Sequence, residues 1–278
     1  MIIKNEGFGY SVWQTEKIKH IHMKCVIIGT GNVATVLAKL IFKNGHTLLQ
    51  VAGRNEAAAR YLANGLQAGY TTDFKHLDYS ADMYIIAVSD HAVEEVVAQL
   101  QLPEDKMVVH TTGSLSVNIL KKLSSNYGVL YPLQSIRKEM HHIPEIPFFV
   151  DANNEAARQA LKTFAQSLSP LVSDTSDEER VKLHVAAVLV SNFTNYLFTV
   201  AEDLCTKENI DFKFLLPLIS ETVSRLNDYS PAETMTGPAF RADHNTINRH
   251  LEILKNYPEE KEIYQFLTTK IMERFPRH

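Results

Sequence analysis

The segment Lys24-Cys25-Val26-Ile27-Ile28-Gly29-Thr30-Gly31-Asn32-Val33-Ala34 decides the fold. Four apolar residues run into two glycines spaced one apart, and Ala34 follows three positions later. Val36-Leu37-Ala38-Lys39-Leu40-Ile41 then places apolar residues at helical spacing. The pattern reads strand, turn, helix. Gly29 suits the tight turn, Gly31 lets backbone approach a phosphate with no side chain between, and Ala34 lets the helix pack close on the strand. The helix start offers free N–H groups and a positive dipole to an anion. A bare G-x-G-x-x-A run is a weak signal, since glycine turns follow many strands. Context strengthens it: Gly45 stops the helix and residues 47–52 form a second strand, as a dinucleotide-binding unit requires.

The end of that second strand reads which dinucleotide. An NAD site places Asp or Glu there for the ribose 2′-hydroxyl, about 20 residues past the glycines. This chain has Ala52-Gly53-Arg54-Asn55, with no acid. Arg54 presents a planar fork of donors suited to a 2′-phosphate. The expected cofactor is therefore NADP(H), held by Gly29, Thr30, Gly31, Asn32, Val33, Arg54 and Asn55. The plain alternative is a solvated Arg54, with Asn55 only capping the helix 56–66.

Composition fits a soluble enzyme of two domains. The chain has 278 residues, enough for two cores. A net charge of −4 gives no general attraction to nucleic acid or to anionic membrane. Cys25 and Cys205 lie far apart in apolar segments and read as free buried thiols of a reducing cytoplasm. His20, His22, His141 and His142 sit in tails or loops, and no H-E-x-x-H or C-x-x-C occurs, so no metal is expected. The longest apolar run near the middle, 185–190, is far short of the ~18 residues that span a bilayer. Residues 1–22 lack an apolar core and read as an upstream extension preceding the first strand.

Strands and helices alternate over the next 150 residues. Strands are expected at 68–71, 83–88, 107–110, 129–131, 148–150 and 171–172, with helices at 91–101 and 154–167. Such alternation gives a mainly parallel sheet covered by helices, with ligands at the carboxyl ends of the strands. Val88 and Ser89 end one strand, and His110-Thr111-Thr112-Gly113-Ser114 ends the next. Val88, Ser89, His110 and Thr111 are assigned to the cofactor. Thr112, Gly113 and Gln134, the last in Tyr131-Pro132-Leu133-Gln134, are assigned to the substrate. A polar turn capping a helix near Val117 would explain the hydroxyl cluster equally well.

Beyond about Asp174 the pattern is helical. Residues 179–207 read as one long helix, apolar on nearly all sides and hence buried. At about 100° per residue, His184, Ser191 and Asn195 share a stripe with Asn192 at its edge. Later helices are expected at 212–226, 244–255 and 259–275, with 235–243 a loop in which Asp243 caps the next helix.

These motifs carry a family resemblance. His110-Thr111-Thr112-Gly113, Tyr131-Pro132-Leu133-Gln134, His184-Val185-Ala186-Ala187 with Ser191-Asn192, and Thr236-Gly237-Pro238-Ala239-Phe240-Arg241-Ala242-Asp243 resemble the bacterial family that joins a Rossmann-like domain to a DUF2520 domain. More distantly the chain is similar to pyrroline-5-carboxylate reductase, 6-phosphogluconate dehydrogenase-type enzymes and F420-dependent NADP oxidoreductases. The resemblance implies NADP(H) binding and a helical dimerising domain. Relatives of the 6-phosphogluconate dehydrogenase type use a lysine on the corresponding helix; Lys182 lies well off the His184 stripe, and the role is not carried over.

The expected architecture is α/β: an N-terminal extension (1–22), a Rossmann-type NADP-binding domain with a mainly parallel sheet (23–175), and an all-helical substrate and dimerisation domain (176–278). The expected function is NADP(H)-dependent hydride transfer to or from a small polar metabolite in an interdomain cleft. His184 acts as acid/base, Ser191 and Asn192 orient the substrate, and Arg241 binds a carboxylate or phosphate. Two alternatives stand beside it: a deazaflavin (F420):NADP hydride exchanger, and a non-catalytic NADP(H)-binding sensor or assembly protein. The expected partner is a second copy, because an apolar rod of this length exceeds what the following residues can cover.

Overall fold

A computed structural model describes residues 21–140 and 142–276. The expected extension at 1–22 lies outside the described residues except for Ile21 and His22, and His20 and His141 lie outside them as well. Two compact units divide the chain, one ending at Ala187 and the other beginning at Val188.

The first unit is built on an eight-stranded sheet. Its elements are β1 (Lys24–Ile28), α1 (Asn32–Lys43), β2 (Thr47–Ala52), α2 (Glu56–Asn64), β3 (Gly69–Thr71), β4 (Met83–Ile86), α3 (Asp90–Gln99), β5 (Met107–His110), β6 (Asn126–Pro132), β7 (Phe148–Ala152), α4 (Glu155–Leu168), β8 (Val172–Asp174) and α5 (Asp177–Ala187). The strands lie in the order β3-β2-β1-β4-β5-β6-β7-β8, and every pair is parallel except β6 with β7. The chain winds outward from β1 in one direction, then returns to β1's other side with β4. That reversal is the switch point at which α/β sheets bind ligands beyond their carboxyl ends.

Both faces of this sheet are covered, which is why its central strands are continuous apolar runs instead of alternating ones. Ile27, Met83, Ile85 and Val109 join a core with Leu37 and Ile41 of α1, Leu62 of α2, and Leu161 and Phe164 of α4. Their neighbours Ile28, Tyr84, Ile86 and Val108 face the other way, toward Val96 of α3 and Leu120 of a 3-10 turn at Val117–Leu120. Capping side chains fix the helix starts: Asn55 Oδ1 accepts from Ala58 N at 3.0 Å, and Asn154 Oδ1 from Ala157 N at 2.8 Å. Cys25 is free and buried, as is Cys205 in the second unit.

Helical structure continues as a π-helical turn at Val188–Phe193 and as α6 (Thr194–Lys207). The second unit contains these two elements, α7 (Leu216–Ser224), α8 (Pro238–Arg241), α9 (His244–Ile253) and α10 (Pro258–Arg274), with 3-10 turns between. The expected loop at 235–243 holds α8, a four-residue helix started by Gly237 at φ +98° and by Pro238 in the first turn. Proline at this position loses no intrahelical hydrogen bond. Asp243 caps α9 as expected, accepting from Thr246 N at 3.1 Å.

The long helix is not covered within the single chain: Val185, Leu189, Val190 and Phe193 are exposed, Val190 by 74%. In the second unit, Cys205, Ala239, Ile247 and Leu254 are the buried apolar side chains among the described residues. By length and composition alone, the helical stretch Asp177–Lys207 is long and apolar enough to cross a bilayer, one 18-residue window within it having a mean hydropathy of 1.3. An unbroken apolar run does not reveal this, because Ser191, Asn192 and Asn195 interrupt the run while the window's average stays apolar.

Candidate functional site

A cavity of about 810 Å³ opens at the carboxyl ends of β1, β2, β4, β5 and β6. All of its lining residues belong to the first unit. Its floor is the glycine turn. Gly29 has φ +132°, and a Cβ there would stand 2.2 Å from Ala87 O, so only glycine lets the ends of β1 and β4 approach. Gly29 N also donates to Ala52 O at 2.8 Å, tying the turn to β2. Above Gly31 the space is open: a Cβ would meet nothing within 4 Å.

Gly31 is the N-cap of α1 and provides no side-chain cap, so the first-turn N–H groups are left for an external acceptor. An uncapped helix start beneath an open glycine fits a pyrophosphate. Thr30, Asn32 and Val33 line the cavity beside it, with Asn32 Oδ1 also accepting from Lys138 N at 3.2 Å.

At the end of β2, Gly53 permits contact with Thr30, whose Cγ2 would lie 2.6 Å from a Cβ on residue 53. Arg54 and Asn55 line this side. Arg54 is exposed, with Glu95 as a neighbour at 3.5 Å. No acid stands at the end of β2, so this rim fits a 2′-phosphate; Asn55 meanwhile spends its carbonyl on capping α2.

The opposite side of the cavity joins the remaining strand ends. Val88, Ser89, Thr111, Thr112, Gly113 and Gln134 all line it, as the sequence reading expected. Asp90, the first residue of α3, accepts a hydrogen bond from Ser114 Oγ. His110 is placed differently. It is fully buried and absent from the lining, and its Nδ1 accepts from Thr112 N at 3.2 Å. It therefore supports the Thr111–Gly113 loop from behind. Burial, and then the nearby Arg180 guanidinium, push the His110 imidazole down to about 4, so it is neutral at pH 7.

His184 lines the cavity together with Tyr131. Tyr131 Oη and His184 Nδ1 are 3.0 Å apart. Burial, then Asp90, hold the Tyr131 phenol above its ordinary range. Tyr131 belongs to the Tyr131-Pro132-Leu133-Gln134 motif, in which only Gln134 is expected at the site from the sequence. Its signal was its place at the carboxyl end of a strand, where side chains meet ligands.

Arg180 is a second residue that the sequence motifs do not single out. It is fully buried at the start of α5. Its Nη2 donates to Leu115 O and to Asp177 Oδ1, the latter at 2.6 Å, and its Nη1 lies 3.9 Å from Asp151 Oδ2. Asp177 Oδ1 also accepts from Val117 N at 3.0 Å. Burial raises the Asp177 carboxyl, but hydrogen bonds from Ser116, Arg180 and Val117 outweigh it and hold the group below its ordinary range. The guanidinium thus joins α5 to the 111–117 loop and to β7, one turn before His184. Spacing was the available signal, since residues 180 and 184 share a helix face.

Ser191, Asn192 and Arg241 belong to the second unit. Ser191 and Asn192 fall within the π-helical turn, and Arg241 ends α8. The stripe drawn through His184, Ser191 and Asn195 assumed a uniform 100° per residue. A π turn contains an additional residue per turn and shifts every later side chain around the axis, so Ser191 and Asn195 do not keep the 100° alignment with His184. Among the described residues, no group of three or more His, Cys, Asp or Glu could hold a metal ion.

Residues 24–114 match the family model described as NADP oxidoreductase, coenzyme F420-dependent, and residues 146–271 match the DUF2520 domain of unknown function. The solved structure of BF3122 from Bacteroides fragilis, a candidate NADP oxidoreductase, is 37% identical over 91% of this chain and 98% of that one, with a TM-score of 0.83. The chain belongs to this DUF2520-bearing family of the NADP oxidoreductase type. Protein TM1727 from Thermotoga maritima shares the fold at 21% identity and TM-score 0.66, over 90% of this chain and 97% of that one. An imine reductase from Myxococcus stipitatus, solved with NADP+, shares it at 16% identity and TM-score 0.61, over 90% and 93%. No curated protein matches the chain.

Proposed function

We propose that the protein is an NADP(H)-dependent oxidoreductase acting on a small polar metabolite that carries a carbonyl, imine or alcohol. The observation that carries this reading is that one cavity contains both the open, uncapped glycine turn and His184. When bound, NADP(H) exchanges a hydride with the reacting carbon. The turn at Gly29–Val33 binds the pyrophosphate through backbone N–H groups, and Arg54 binds the 2′-phosphate. Thr111 lies on the cofactor side of the same strand ends, and Thr112, Gly113 and Gln134 orient the substrate. His184 gives or takes the proton at the substrate's oxygen or nitrogen. An imine reductase and a pyrroline-5-carboxylate reductase among the proteins of like fold make the C=N bond the first chemistry to try.

The test is NADPH oxidation with a panel of small cyclic imines, ketones and aldehydes, using the full chain and His184→Gln. The variant should keep its NADPH affinity and lose turnover by roughly 10²–10⁴-fold. Unchanged turnover would favour the deazaflavin reading, in which hydride passes between ring faces without a proton relay. A parent protein that binds NADPH and turns over nothing would favour the sensor reading.

We propose in addition that the protein works as a homodimer, a second copy covering the apolar side chains of the helical unit. Val190, Phe193, Phe214, Leu218 and Phe266 are all more than half exposed in the single chain. Two buried free thiols suit a reducing compartment, and we place the protein in the cytoplasm.

A further inference from the structure

Tyr131 closes β6 and His184 lies in the last turn of α5. Besides the 3.0 Å contact between Oη and Nδ1, the two rings meet nearly edge to face, at 74° and 6.1 Å between centroids. Gly113 makes the contact possible. A Cβ on residue 113 would stand 3.0 Å from both Cγ and Nδ1 of His184 and 3.1 Å from Cε2 of Tyr131. A hydroxyl and a stretch of backbone therefore close the imidazole on its Nδ1 side. Nε2 has no hydrogen-bond partner among the described residues, and His184 lines the cavity, so Nε2 is the ring nitrogen free to meet a ligand there.

The bond made by one imidazole nitrogen fixes the protonation of the other. A histidine that takes a proton at Nε2 must keep its own proton on Nδ1, and that N–H needs an acceptor when half-buried. Tyr131 Oη can be that acceptor while its own O–H points into the cavity that Tyr131 lines. Burial and Asp90 keep Tyr131 a phenol, so it does not compete as a phenolate for the proton.

We propose that Tyr131 is a positioning residue that pins His184 as its Nδ1–H tautomer and makes Nε2 the atom that exchanges a proton with substrate. The inference rests on the reading of His184 as acid/base. In the reducing direction the imidazolium releases its Nε2 proton to the carbonyl oxygen or imine nitrogen. The π pair of the C=O or C=N bond becomes the new O–H or N–H bond, and the carbon takes a hydride from NADPH. Substrate is reduced to alcohol or amine, NADPH is oxidised to NADP+, and neutral His184 retains Nδ1–H on Tyr131. The oxidising direction reverses each transfer.

Nitrogen NMR of the histidine-labelled full chain reads the tautomer without any substrate, with His184→Gln identifying the resonance. Neutral His184 should be Nδ1–H in the parent protein and should revert to Nε2–H, the form an unconstrained side chain favours, in Tyr131→Phe. Gly113→Ala, whose Cβ crowds both rings and disturbs their contact while the tyrosine hydroxyl is retained, should shift it likewise. Tyr131→Phe should leave NADPH affinity unchanged and lower kcat by roughly 10–100-fold, with KM little altered. An Nε2–H parent, or a Tyr131→Phe variant that keeps the parent's tautomer or its kcat, overturns the inference. A parent that binds no NADPH overturns the oxidoreductase reading instead, and the tautomer still decides the role of Tyr131.

Discussion

At the scale of single residues, the site is made of glycines that remove obstacles and of polar groups placed where burial changes their chemistry. Gly29 and Gly113 each stand where a Cβ would strike a neighbour, the backbone of Ala87 in one case and the rings of His184 and Tyr131 in the other. The first was legible in the sequence because the G-x-G spacing carries its own geometry. The second was not, because the side chains that meet Gly113 are distant in sequence. His110 was legible as a strand-end residue but not as a buried one, since nothing local tells a cavity-lining histidine from one packed behind the loop. Its burial has a measurable consequence. The unfolded imidazole, at 6.5, binds a proton before the folded one at about 4, so the unfolded state holds more protons between those values. Stability should therefore fall as pH drops from 6.5 toward 4, by roughly 3 kcal/mol from this residue, with no further loss from it below that window. His46, also lowered by burial and by His22, acts in the same direction. Denaturant midpoints of the parent and His110→Gln across this range check the account, and the variant should show the shallower pH dependence.

At the scale of elements, α5 takes its place from Arg180 more than from its own periodicity. Hydrophobic spacing located the helix, but in the single chain Val181 and Val185 are exposed; Leu183 packs against Val117, Val129 and Tyr131, and a buried guanidinium adds the polar anchor. These contacts join α5 to the sheet, and α5 falls within the compact unit that runs to Ala187. Replacing Arg180 by Met removes one side of a buried ionic cluster and leaves Asp177 and Asp151 without their cation. The expected cost is about 3–5 kcal/mol, read as a lowered denaturation midpoint. Lysine should recover only part of it, because one ammonium cannot reach Leu115 O, Asp177 and Asp151 together. A midpoint unchanged in Arg180→Met would contradict this role. The π-helical turn that follows α5 has no signature in composition, and any stripe traced across it from a fixed angle drifts off register. Strand and helix placement was otherwise read to within a few residues: β5 was expected at its observed limits, whereas β6 begins at Asn126, three residues before the expected 129, because its polar start hides it.

At the scale of the molecule, the β3-β2-β1-β4 order places the glycine turn and the ends of β4 to β6 around one cavity, and alternation of strand and helix made that much legible. The helical unit carries a surplus of apolar residues, visible in the sequence, and only four buried apolar side chains among its described residues, which is the basis for the proposed dimer. Light scattering at micromolar concentration should give twice the chain mass of 31.4 kDa, and Val190→Lys with Phe193→Lys should return it to the monomer. A parent that is monomeric there would contradict the dimer. The central claim, that this cavity is an NADP(H) site, is tested most directly by calorimetric titration of the full chain with NADPH and NADH, repeated on Arg54→Glu. The account predicts that the parent binds NADPH more tightly than NADH and that the variant loses the preference, like charge then facing the 2′-phosphate. Equal affinity of the parent for both nucleotides, or binding of neither, would contradict it.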